Sequence, residues 1–188
     1  LKTSALTDKD LIDLGQVANL VDMVALSFLR GPEDVDRLHD ELDRLGASRL
    51  GVVLKIENRQ AFEHLPRSLL ASLRAPPVGV MIARGDLAVE VGFERLSEVQ
   101  QEILWLCEAA HVPVIWATQI LEGMAKKGAP SRAEVSDAAM SILAECAMLN
   151  QGPNIVGTVS FLSGIIDRMD DHYVKRRATL RKLSVAQL

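Results

Sequence analysis

Short runs of Val, Ile, Leu and Met recur along this chain at roughly 30-residue intervals, the length of one strand-helix-strand unit. They cover Asp22 to Phe28, Leu50 to Ile56, Gly79 to Arg84, Val112 to Ala117 and Glu145 to Leu149. Each is apolar along its length rather than alternating, the pattern of strands covered on both faces. The intervening segments have helical period. Leu96, Val99, Ile103, Leu106 and Ala110 share one helix face, with Cys107 flanking it. Another helix is marked at both ends: Pro32 suits a first helical position, Val35, Leu38, Leu42 and Leu45 keep the spacing, and Gly46 can close it. Pro153 opens the last long helix in the same way, and Ala75-Pro76-Pro77 is a loop before the third strand. Strands alternating with helices imply a parallel sheet covered by helices.

The 188 residues are 48% hydrophobic and 24% charged, enough to bury one substantial core. A net charge of -4 without a long basic run excludes the electrostatic footprint of a nucleic-acid or anionic-membrane binder, and a small anionic substrate remains compatible. Cys107 and Cys146 lack zinc-site spacing and read as reduced structural thiols. No segment reaches the roughly 18 to 20 apolar residues of a membrane span, and Leu1 to Asp10 lacks the apolar core of a signal peptide, so a cytoplasmic protein is expected. The chain starts with Leu rather than Met, and further polypeptide upstream is expected.

What favours a barrel rim is where the polar residues fall. Ser27, Lys55 with Glu57, Arg84 with Asp86, Thr118 and Asn150 all stand at or just past the C-terminal ends of their strands, where parallel α/β folds place their sites. Side chains two apart on a strand share a face, so Lys55 pairs with Glu57, and Arg84 with Asp86 if the strand persists that far. Two carboxylates and a cation suit a magnesium ion that keeps positions for water and substrate oxygens. A lysine beside them stabilises charge on a transferring phosphoryl group or an enolate. The plainer alternative is two strand-end salt bridges. Thr118 equally suits a helix N-cap, and Ser131-Arg132-Ala133-Glu134 reads as a capping box. His39 and His64 fall on polar helical stretches, His111 precedes the fourth strand and His172 lies in a basic tail, without metal-ligand spacing; Trp105 and Trp116 read as core or rim packing.

Lys55-Ile56-Glu57-Asn58, Met81-Ile82-Ala83-Arg84-Gly85-Asp86-Leu87 and Ala117-Thr118-Gln119-Ile120-Leu121-Glu122 resemble, in order and separation, three successive strand-end signatures of the pyruvate kinase family. Similarity extends through Leu6-Thr7-Asp8-Lys9-Asp10, Val21-Asp22-Met23-Val24, Ser27-Phe28-Leu29-Arg30 and Ser131 to Asp137. The fold implied is a parallel (β/α) barrel of the TIM type, with about five of its eight strand-helix units in this chain. The resemblance implies magnesium-dependent phosphoryl transfer from phosphoenolpyruvate to ADP. In it Lys55 is the charge-stabilising lysine, Glu57 and Asp86 hold Mg2+ or Mn2+, and Thr118 lies near the carbon that is protonated. Ala83, Arg84, Gly85 and Asp86 resemble the substrate carboxylate site, where N–H groups at a helix start face an anion and Gly85 permits close approach.

Where the family has Met-Leu-Ser-Gly-Glu-Thr, this chain has Met148-Leu149-Asn150-Gln151-Gly152-Pro153, on the nucleotide side of the family's site. Asn150, Gln151 and the helix start at Gly152-Pro153 could bind a phosphate instead. Residues 1–174 read as the partial barrel and 175–188 as a basic helical tail with Lys175, Arg176, Arg177, Arg181 and Lys182. The uncovered strands imply completion by an upstream segment or a homo-oligomer. K+ is implied only through ligands supplied upstream. A magnesium-dependent lyase or aldolase acting on pyruvate or phosphoenolpyruvate, and a non-catalytic kinase-like binding or assembly module, fit the same rim.

Overall fold

The computed structural model describes residues 5–75 and 77–177. The strands β1 (Met23–Leu26), β2 (Gly51–Ile56), β3 (Val78–Ala83), β4 (Val114–Ile120) and β5 (Cys146–Leu149) form one sheet in which spatial order equals chain order. β1 to β4 pair in parallel. An order that never doubles back is that of a winding barrel wall; a doubly wound sheet would reverse at a switch point. The fold is α/β, consistent with part of a TIM-type barrel.

The helices are α1 (Asp8–Val17), α2 (Pro32–Arg44), α3 (Arg59–Glu63), α4 (Leu65–Ser72), α5 (Arg84–Val91), α6 (Leu96–Ala110), α7 (Glu122–Lys127), α8 (Arg132–Met140) and α9 (Ile155–Arg177). Two compact units are present. Among the described residues, one comprises those up to Thr118 together with Ala144–Met148, and the other comprises Gln119–Leu143 and those from Leu149 on.

In the first unit the register decides what each face carries. Lys55 lies opposite Met81 and Met81 opposite Ile115, while Ile56, Ile82 and Trp116 form the adjacent row on the other face. That second face is the core: Val52, Leu54, Ile56, Val80, Ile82, Val114 and Trp116 are all 2% exposed or less. Burying such side chains contributes about 1.5 to 3 kcal/mol each, which is why the apolar runs dominate the sequence pattern. The Lys55 face is less covered, with Lys55, Met81 and Ile115 half-buried and Ala25 exposed.

Helix α2 begins with Pro32 at its first position, buries Val35, Leu38 and Leu42, and packs on α4. Gly46 follows it with φ +68°, the left-handed conformation that a side chain would strain. On α6 the buried stripe is Val99, Ile103, Leu104 and Cys107, so Cys107 stands within the stripe rather than flanking it. Trp105 on the same helix is 61% exposed, whereas Trp116 is core. A capping box opens α1, with the Thr7 hydroxyl accepting from the Asp10 N–H and the Asp10 carboxylate accepting from the Thr7 N–H.

The second unit contains the expected capping box of Ser131 and Glu134 at the start of α8. The Glu134 carboxylate also accepts from the Gly123 N–H, and these backbone donors hold it below the usual carboxylate range. The last helix departs from expectation: it starts at Ile155, not at Pro153. The Asn154 N–H is drawn to the Ala125 carbonyl and the Asn154 carbonyl accepts from the Thr158 N–H, so Asn154 sits at the entry to the helix. His172 and residues 175–177 belong to α9, while Arg181, Lys182 and the rest of the expected basic tail lie outside the described residues, as does Pro76.

Candidate active site

The strand-end motifs around Lys55 and Ser27 form one hydrogen-bonded unit. The Lys55 Nζ donates to Ser27 Oγ at 2.7 Å and pairs with Glu57 Oε1 at 2.8 Å. The other Glu57 oxygen accepts from the Phe28 N–H at 2.6 Å. Asn58 donates to the Leu29 carbonyl at 2.8 Å and caps α3 by accepting from the Ala61 N–H. The Arg30 carbonyl lies 2.8 Å from His64 Nδ1. Four consecutive residues after β1 are thus held by the end of β2 and the segment that follows it. The register that places Leu26 opposite Leu54 brings the two segments level.

Phe28 adopts φ +52°, uncommon for an aromatic residue, and the turn aims its N–H at Glu57. Glu57 is only 4% exposed, so its charge is kept inside by an ammonium and a backbone donor. Lys55 retains 24% exposure at its side chain. An ammonium has three N–H donors, and among the described residues two are engaged, leaving one for a ligand. The sequence placed Ser27 at the strand end but showed no role for its hydroxyl, because that role depends on cross-strand register.

At the next strand end the extended conformation stops at Ala83, and α5 starts at Arg84. The expected Arg84 and Asp86 shared face is therefore replaced by a helical turn. The Arg84 side chain is 8% exposed; its Nε donates to the Ala117 carbonyl at 2.7 Å and its Nη2 to the Thr118 carbonyl. Its guanidinium carbon also lies 4.9 Å from the centre of the Trp116 ring. Arg84 therefore anchors the end of β4. Asp86 is exposed in the first turn of α5, and no side chain caps that helix start. The N-terminus of such a helix favours an anion.

Thr118 is half-buried inside β4 with φ +73°, followed by Gln119 at φ +58°. A β-branched residue in this conformation is a genuine outlier, a kind of strain that clusters at functional sites. Thr118 is not a helix N-cap, since α7 begins later, after Leu121. In the second unit the Gln119 N–H donates to Asn150 Oδ1 at 3.2 Å, which engages one of the polar groups considered for phosphate binding.

Among the described residues no group of three or more His, Cys, Asp or Glu is placed to hold a metal. Glu57 and Asp86 carry carboxylate oxygens of the hard type that an ion of the magnesium class takes. A cavity of about 1030 Å3 adjoins the hydrogen-bonded unit around Lys55 and Ser27, lined by Leu6, Leu14 and Val17 of the α1 region and by Ser27, Phe28, Arg30 and Asn58 of the strand-end segments. It is mainly apolar, and the lysine and carboxylates above do not line it.

Residues 1–157 match the family model described as "Pyruvate kinase, barrel domain". The chain belongs to the pyruvate kinase family. Pyruvate kinase of Mycobacterium tuberculosis is 42% identical over 156 residues, covering 81% of this chain and 32% of that protein. That of Mycobacterium intracellulare is 39% identical over 176 residues, covering 89% and 36%. Pyruvate kinase of Thermotoga maritima is 42% identical over 144 residues, covering 76% and 29%. The chain spans about a third of the length of these pyruvate kinases. No helix among the described residues is long and apolar enough to cross a membrane.

Proposed function

We propose that this chain supplies one side of an active site that transfers the phosphoryl group of phosphoenolpyruvate to ADP, giving pyruvate and ATP in a glycolytic, cytoplasmic enzyme. The observation that carries this reading is the Lys55 ammonium, held at a strand end by Ser27 and Glu57 with a donor to spare. In the reaction the bond between phosphorus and the enol oxygen breaks and phosphorus joins a terminal oxygen of ADP. The enolate left behind gains a proton on carbon. Lys55 counters negative charge on the phosphoryl group in flight and on that enolate oxygen.

The first turn of α5, at Arg84, Gly85 and Asp86, would receive the substrate carboxylate, as helix N-termini favour anions. Thr118 would border the carbon that is protonated. Glu57 and Asp86 would hold Mg2+ or Mn2+, which when bound supplies a fixed positive charge for phosphoryl and carboxylate oxygens. No residue of this chain is assigned to K+. A homo-oligomer belongs to the same reading.

The test is ATP formation from phosphoenolpyruvate and ADP by the full-length protein with Mg2+. Lys55→Ala is expected to lower kcat by about 10²- to 10³-fold, the scale of removing one charge-stabilising donor. Absence of transfer to any nucleoside diphosphate would overturn the proposal, and aldol cleavage of an oxo acid by the same preparation would replace it with a lyase.

A further inference from the structure

We propose that Ser27 is a positioning residue: its hydroxyl, acting from the end of β1, fixes the direction of the Lys55 ammonium. This deepens the phosphoryl-transfer reading and rests on it. A lysine carries its charge on a flexible four-carbon stem, so a lysine that must meet a transferring group needs external holders. Lys55 has two. Glu57 Oε1 lies 2.8 Å away beyond β2, and Ser27 Oγ lies 2.7 Å away beyond β1. Holders on different strands define a direction that neither defines alone.

The two holders are not equivalent. Glu57 is also a carboxylate suited to a divalent cation, and an oxygen turned toward a cation is withdrawn from Lys55. The neutral Ser27 hydroxyl carries no such competing charge. Its own position is constrained on the following residues: the Phe28 N–H is bound to Glu57 Oε2 at 2.6 Å, and Leu29 is fully buried with its carbonyl bound by Asn58. Ser27 therefore keeps Lys55 in place whichever partner Glu57 serves. It acts through Lys55 and is not assigned contact with the reacting atoms.

The experiment compares full-length wild-type protein with Ser27→Ala and Ser27→Thr by competitive acetylation of lysines, reading Lys55 against the exposed Lys9 in the same digest. It also measures kcat and KM for phosphoenolpyruvate. Removing an acceptor from a charged donor is expected to lower kcat about tenfold, with KM changed less than about threefold. The Lys55 to Lys9 labelling ratio is expected to rise, and Ser27→Thr, which restores a hydroxyl, to return both readouts toward wild type. An unchanged ratio in Ser27→Ala overturns the proposal, and so does a failure of threonine to restore kcat. If Lys55→Ala abolishes transfer while Ser27→Ala is normal, the reaction assignment stands and the role of Ser27 falls. If the wild type transfers no phosphoryl group, the reaction assignment falls and the labelling ratio still decides whether Ser27 holds Lys55.

Discussion

A Cβ at Gly85 would lie 3.0 Å from the methyl carbon of Thr118, so the start of α5 and the end of β4 meet where one of them has no side chain. Gly85 does not have positive φ, and its requirement here is space rather than conformational freedom. The missing side chain leaves room for the Thr118 methyl group. Gly85→Ala is expected to displace Thr118 by a few tenths of an ångström and to lower phosphoryl transfer about tenfold or more, as misplacement near a reacting centre does. Adding Thr118→Ser removes the opposing methyl group. The double variant is expected to regain part of the fold order lost by Gly85→Ala, and strictly additive losses would show that the contact is not the cause.

Arg84 offers a stability prediction. Its guanidinium serves the Ala117 and Thr118 carbonyls and lies over Trp116. Lysine cannot reproduce that fork or that stacking. Arg84→Lys is expected to lower unfolding free energy by about 1.5 to 3 kcal/mol, the net worth of hydrogen bonds made by a charged group. Denaturant midpoints with unchanged slopes would measure it, and a midpoint equal to wild type would refute it.

His39 sets an acid sensitivity. It is 9% exposed on α2, and its Nε2 has no hydrogen-bond partner among the described residues. Burial chiefly, and Arg74 in addition, lowers its pKa below the ordinary 6.5, against the opposing pull of Asp43, Asp36 and Asp40. The unfolded chain thus binds the proton more readily than the folded one. Stability from the neutral ring is complete above pH 6.5 and is lost as pH falls through the lowered folded-state value. Urea midpoints of wild type should decline between pH 7 and pH 5, on the scale of about 1.4 kcal/mol per pH unit for one proton. His39→Leu should flatten that decline, and an equal slope in both proteins would exclude His39 as its source.

The cysteines are expected to differ sharply in reactivity. Cys107 is fully buried, and burial, with Glu145 nearby, pushes its thiol up to about 12. Cys146 is exposed. Because the thiolate is the reacting species, a thiol reagent at pH 8 should modify Cys146 in the native protein and reach Cys107 only after denaturation. Rapid native labelling of Cys107 would contradict the burial of the α6 stripe.

Much of this protein was legible in the sequence because it depends on local period and residue type. Apolar runs marked the strands to within a few residues, Pro32 and Gly46 bounded α2, Ser131 and Glu134 announced their capping box, and the motifs at Lys55, Ala83 and Thr118 carried the family resemblance. Only the tertiary structure decided how those pieces meet. Strand order selected a winding sheet over a doubly wound one, and the β1 to β2 register brought Ser27 and Phe28 onto Lys55 and Glu57. The early start of α5 turned Arg84 away from Asp86 and onto β4, and positive φ made Thr118 a strained strand residue rather than a cap. The division has a physical cause: local hydrophobic period reports which face an element buries, whereas hydrogen bonds between residues about 30 positions apart exist only once strands are paired in one register.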